Sequence, residues 1–251
     1  MIRWNHALFW ALLALLPSSS PGDGDFLAGQ RKYERVRGAI REKEASLDRL
    51  LAGAGLRSDD LHVLLVAYKD HDRLEVHAKR REDTAYRLLK AYGICSRSGA
   101  LGPKRRQGDF QVPEGFYHID RFNPVSNYHL SLGINYPNLS DRRQSQARSL
   151  GGDIFIHGSC ATIGCLPMTD DGIKEIYLLC AYARDNGQAR IPVYIFPFEM
   201  TGANMAAYSA RYAAHADLLR FWANLRAGHD RFQASREELK VQVLVDGTYA
   251  F

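Results

Sequence analysis

Apolar and polar positions change their period several times along the chain, and each change marks an expected element. Between residues 25 and 54, Leu27, Val36, Ile40, Leu47 and Leu50 recur among charges at helical spacing, and Gly53-Ala54-Gly55 ends the run, which predicts a helix packed by one face on the main body. The runs LHVLLVAY (61–68) and RLEVHAK (73–79) are strand-like, and the Lys-Asp-His-Asp between them predicts a hairpin. Gly and Pro interrupt residues 96–114 as a loop would, before a short strand at 115–119. Further strands are expected at 128–136, at 151–158 ending near His157, and at 190–198, with a short helix at 140–149 between the first two. Thr169 or Asp170 caps a helix carrying Ile173, Ile176, Tyr177 and Cys180. The last fifty residues predict a helical region with Leu218, Leu219, Phe221, Trp222 and Leu225, closed by a strand within 240–251. The fold class is therefore α+β: one β-rich domain with helices at both ends.

The start of the chain follows another rule. Arg3 precedes the ten-residue apolar run ALFWALLALL and then PSSSPGDG, a run too short to span a bilayer, which takes about twenty apolar residues. Residues 1–22 read as a secretory signal peptide, with an uncleaved anchor or a surface helix as the competing reading. The expected organisation is then a helical segment at 23–58, a main β-rich domain at 59–200 and a C-terminal helical extension with its closing strand at 201–251. Export implies a periplasmic, oxidising surrounding for Cys95, Cys160, Cys165 and Cys180, whose even number permits two disulfides, one or none.

Charge narrows the partners. The net charge of +5 is modest, and the basic residues alternate with acidic ones, as in RKYERVRGAIREKEASLDR. That pattern describes solvated helix faces rather than a nucleic-acid-binding stripe, so no nucleic acid is expected.

The segment IFIHGSCATIGC (154–165) carries the candidate chemistry. A strand delivers His157 to its end, and Gly164 immediately precedes Cys165 at the entry to a helix. A cysteine nucleophile needs a base for its proton, and the eight-residue step back to His157 allows a loop to bring one. The backbone N–H groups of Gly164 and Cys165 are candidates for an oxyanion hole. The residues alone leave three readings open: a nucleophile with its base, a Cys160–Cys165 disulfide, or zinc held by His157, Cys160 and Cys165, the last lacking a nearby fourth ligand. Cys180 reads as a small buried hydrophobe, and His118 and His129 as structural histidines.

The pattern GGDIFIHGSCATIGCLPMT resembles the YkuD-type L,D-transpeptidases, and more closely their YafK-like branch. The likeness continues through LGPKRRQGDFQVPEGFYHI, SLGINYPN, GQARIPVYIFPF and DGTYAF, so it spans roughly 61–251. The resemblance implies a β-rich sandwich domain with Cys165 as nucleophile, His157 as base, the Gly158 carbonyl orienting the imidazole, and Thr162 and Gly164 as small residues of the cysteine loop. It also implies action on peptidoglycan stem peptides through an acyl-enzyme, without a cofactor or metal. Both transpeptidation and hydrolysis, including release of a peptidoglycan-linked lipoprotein, occur in the branch. Two positions depart from the family: Ile163 stands where a second histidine is usual, and Pro167 where an arginine is usual. Asn135, Tyr136 and Lys104 are candidate substrate-binding residues, against an ordinary turn at 135–138 and an exposed basic loop at 104–106. The rival function class is a non-catalytic cell-wall-binding protein on the same fold.

Overall fold

The structure, a computed structural model, describes residues 25–251, and the expected signal peptide lies outside them. Two helices come first, α1 (Asp25–Gln30) and α2 (Glu34–Gly53), where a single helix was expected; the turn at 31–33 separates them. Val36, Ala39, Leu47 and Leu51 form the buried face of α2. Ten strands and four further helices follow: β1 (Leu61–Tyr68), β2 (Arg73–Arg80), β3 (Arg87–Gly93), β4 (Gly115–Asn123), β5 (Ser131–Ile134), α3 (Leu139–Gln144), β6 (Phe155–His157), β7 (Leu166–Pro167), α4 (Asp170–Asp185), β8 (Pro192–Phe196), α5 (Gly202–Arg211), α6 (Ala216–Ser235), β9 (Gln242–Val243) and β10 (Tyr249–Ala250).

The main sheet is mixed, in the order β3-β2-β1-β8-β4-β5-β6-β7. Strand β4 serves both halves: Gly115–His118 pairs with β8, and Ile119–Asn123 pairs with β5 through a register shift between Ile119 and Arg121. Side chains of alternate residues point to opposite faces of a strand. On β1, Val63, Leu65 and Ala67 join the core shared with α2 and α4, whereas Leu64, Val66 and Tyr68 join the core shared with α6. Both faces of β1 and β8 are covered, so these strands read as continuous apolar runs rather than alternating ones.

Helix α4 starts on Thr169, whose hydroxyl accepts from the Gly172 N–H at 3.0 Å, the cap expected from the sequence. Three ion pairs tie it to α2: Lys43 to Asp171 and to Glu175, and Lys174 to Glu42. On the other face Trp222 of α6 is fully buried, and its indole N–H donates to Glu114 Oε2 at 2.9 Å. The closing segment forms the small hairpin β9–β10 rather than one strand. Among the described residues no helix is long and apolar enough to cross a membrane.

Candidate active site

His157 is the last residue of β6, set by pairing with Ser131 on β5 and Pro167 on β7. It is 2% exposed, and its Nδ1 lies 2.6 Å from the carbonyl oxygen of Gly158. A carbonyl oxygen only accepts, so Nδ1 carries the proton and Nε2 keeps the lone pair of a base. The Tyr128 ring lies over the imidazole, with centroids 4.6 Å apart at 31°. Residue 158 must be glycine: a Cβ there would come within 2.6 Å of Asp170 Oδ1 and 2.9 Å of the Tyr128 carbonyl oxygen. The same Asp170 oxygen accepts from the Ser159 N–H at 2.9 Å, and so fixes the exit from the strand.

The loop then returns to the sheet in two anchored steps. Cys160 forms a disulfide with Cys95, whose own N–H donates to the Pro167 carbonyl at 2.9 Å. Thr162 Oγ1 accepts from the Cys165 N–H at 2.8 Å and from the Gly164 N–H at 3.2 Å, and donates to the Cys165 carbonyl at 3.0 Å. Gly164 takes φ 134°, and a Cβ there would meet the Gln111 carbonyl oxygen at 3.0 Å, which explains the glycine before the cysteine. Cys165 is half-buried with a free thiol. Its Sγ donates to the Asp153 carbonyl at 3.7 Å.

Cys165 stands where two cavities meet. One, of about 320 Å³, is lined by His157, Tyr128, Thr162, Ile163 and Cys165. The other, of about 210 Å³, includes Cys165, Leu166, Ser98, Arg97 and Arg211. Burial pushes the Cys165 thiol up, and the Asp153 charge adds to this, against the Phe155 backbone contact and the Lys104 charge. Burial likewise holds His157 below its ordinary value, opposed by the Gly158 carbonyl. Both directions favour the uncharged thiol and the uncharged imidazole in the cavity that the two residues share.

Several expectations are revised here. The Gly164 and Cys165 N–H groups form no open oxyanion hole, because Thr162 Oγ1 holds both. The Cys160–Cys165 bridge is excluded, since Cys160 is bonded to Cys95. That bond also removes Cys160 from any metal ligand set with His157 and Cys165. Lys104 is no exposed basic residue: it is 5% exposed and donates to Asp109 Oδ1 and the Arg106 carbonyl. The Asn135 side chain accepts from the His118 N–H, and the buried Tyr136 hydroxyl donates to the carbonyls of Lys104 and Leu150. These groups are spent on the scaffold, and Asn135 lines a separate cavity with His118 and Tyr249. Cys180 is fully buried on α4, as its helical position suggested.

Tyr128, Asp170 and Asp153 are the contacts that sequence reasoning missed. A tyrosine in a loop and an aspartate after a Thr cap carry no signal of their own, because their partners lie in other segments.

The family model of the L,D-transpeptidase catalytic domain, YkuD, matches residues 63–195, which contain both His157 and Cys165. YafK of Escherichia coli (strain K12), provisionally named an L,D-transpeptidase, is 40% identical over 189 residues, covering 74% of this chain and 72% of its own. Among solved structures, the helical cell shape determining protein Pgp2 of Campylobacter jejuni aligns with a TM-score of 0.43 and 19% identity, covering 78% of this chain and 80% of its own. Bd1075 of Bdellovibrio bacteriovorus aligns with a TM-score of 0.40 and 24% identity, covering 55% of this chain and 48% of its own.

Proposed function

The chain belongs to the L,D-transpeptidase catalytic-domain family, and from that premise we propose that it is an exported, periplasmic cysteine acyl-transfer enzyme acting on peptidoglycan stem peptides. The observation that carries this reading is the fixed tautomer of His157: Nδ1 is held on the Gly158 carbonyl, which leaves Nε2 as the base in the cavity shared with the Cys165 thiol. In the first half-reaction the thiol proton passes to His157 Nε2 as Sγ attacks the scissile carbonyl. The C–N bond breaks, the departing amine takes the proton from Nε2, and a thioester remains on Cys165. An amine or water then enters, gives its proton to the same nitrogen, and attacks the thioester to restore the thiol. The thiol turns from the Asp153 carbonyl toward the imidazole when substrate is seated, in keeping with the looser catalytic hydrogen bonds of substrate-free sites. An oxyanion reaches the Gly164 and Cys165 N–H groups once the Thr162 hydroxyl turns away.

Transpeptidation and hydrolysis share the thioester, so the alternative within this class is hydrolysis of an L,D bond or of a diaminopimelate–lipoprotein bond. A non-catalytic wall-binding role would fit a cysteine loop whose nucleophile is oxidised, but the disulfide takes Cys160 and leaves Cys165 free. The test incubates the chain with purified muropeptides and, separately, with lipoprotein-linked sacculi, and identifies products by mass. Cys165→Ala and Cys165→Ser should each abolish product while keeping the wild-type thermal transition. Wild-type protein yielding no product from either substrate, or an active Cys165→Ala variant, would overturn the reading.

A further inference from the structure

The two cavities beside Cys165 are chemically unlike, and that difference orients the substrate. His157 lines the cavity of about 320 Å³ together with Tyr128 and Ile163, and is absent from the lining of the cavity of about 210 Å³. On the reaction just proposed, His157 must hand its proton to the departing amine. The amine half of the substrate therefore lies on the imidazole side of the sulfur, and the acyl half extends into the other cavity.

Three cations line that second cavity, and two of them are already committed. Lys69 Nζ donates to the carbonyls of Gly102 and Val112 and to Glu114 Oε1. Arg97 pairs with Asp72 and donates to the Asp70 carbonyl. Arg211, the last residue of α5, is exposed, lies 5.8 Å from the centroid of the Tyr212 ring, and has no carboxylate partner among the described residues. Asp70 and Asp72 line the same cavity, but Arg97 pairs with both and the Tyr208 hydroxyl donates to Asp70, so their charges are answered and Arg211 is the cation left for an anion. A guanidinium offers a planar fork of donors that matches a carboxylate.

We propose that Arg211 is the specificity residue for the acyl half: it binds a free carboxylate of an anionic peptidyl donor whose scissile carbonyl sits on Cys165. The C-terminal extension thus supplies a substrate contact to the cavity. This assignment rests on the acyl-transfer reading for its orientation, but the alkylation arm of its test does not depend on turnover.

Iodoacetate and iodoacetamide alkylate the same thiolate and differ in a carboxylate. The ratio of their rates at Cys165, read by intact mass, therefore cancels any change in thiol ionisation. In Arg211→Gln the relative rate of iodoacetate should fall about fivefold, the scale of one partly exposed ion pair, and Arg211→Lys should recover part of it. Raising the salt concentration should shrink the wild-type preference and leave the variant unchanged. With muropeptides, Arg211→Gln should raise KM for donors carrying the free carboxylate, spare those in which it is amidated, and change kcat little. An unchanged reagent ratio in Arg211→Gln, or an equal KM increase for acid and amidated donors, would overturn the proposal. If the reagent ratio shifts as expected while wild-type protein turns over no muropeptide, Arg211 stands as a carboxylate site and the peptidoglycan reading falls.

Discussion

Thr162 places one hydroxyl among three backbone groups, accepting from the N–H groups of Gly164 and Cys165 and donating to the Cys165 carbonyl. It holds both amides on one oxygen in the absence of an oxyanion. Thr162→Ala should lower kcat by about tenfold or more, since a single oxyanion donor is worth roughly a hundredfold or more, whereas Thr162→Ser keeps the hydroxyl and most of the rate; equal losses in both variants would mean that the methyl, not the hydroxyl, matters. The opposite displacements of the reactive pair set the pH behaviour. Burial holds His157 below the ordinary imidazole value of about 6.5, so the base stays neutral, and kcat/KM is sustained, to below that pH. Burial holds the Cys165 thiol above the ordinary value of about 8.5, so alkylation of the free protein should still be rising past that pH. An alkylation rate already level near neutrality would indicate a preformed ion pair instead. His157, Cys165 and the glycines around them stood out because nucleophilic chemistry needs particular residue types close together in sequence, and the fold brings His157 and Cys165 to the lining of one cavity. Asn135, Tyr136 and Lys104 misled because a polar residue near a motif looks alike whether it faces substrate or the scaffold.

The elements around the cleft are tied down from both sides. The Cys95–Cys160 disulfide joins the loop between His157 and Cys165 to the segment that leaves β3. On the opposite side, Arg35 of α2 donates to the carbonyls of Ser126 and His129, which flank the tyrosine lying over the imidazole. Converting Cys95 and Cys160 together to serine should cost about 2–4 kcal/mol of stability by thermal or denaturant unfolding, and should lower kcat/KM as the loop carrying Thr162 loosens. Wild-type turnover in that variant would show that the loop holds its shape without the bond. Arg35→Ala should lower kcat/KM while leaving most of the thermal stability, because the loss falls on one loop. Periodicity located β1, β2 and α4 closely, since each has a strong apolar pattern. Strand β3 escaped it: as an edge strand with mostly exposed side chains it lacks an apolar alternation and is held by backbone pairing to β2. The Cys95–Cys160 pairing was equally hidden, because cysteines 65 residues apart are brought together only by the fold.

Across the whole molecule, the C-terminal region belongs to the core rather than being an appendage. Phe221, Trp222, Leu225 and Phe232 cover the sheet face formed by Leu64, Val66, Phe116 and Tyr194. A chain ending at residue 200 should therefore fail to fold, as judged by circular dichroism and proteolysis; a stable, cooperatively unfolding truncation would refute this. Trp222→Ala should cost about 3–5 kcal/mol of stability. The indole also meets Glu114, a carboxylate with 0% exposure that accepts from Lys69 Nζ, the Gly102 N–H and Trp222 Nε1. Lys69, Leu101 and Val112 line the smaller cavity at Cys165, so this one buried anion connects the cleft wall to the distant helix α6. A genetic screen for inactive alleles would consequently recover lesions at Glu114 and Trp222 beside those at His157 and Cys165. Phenotype alone would not separate the two groups, whereas a melting curve would: the first group shifts it downward, and the second leaves it in place.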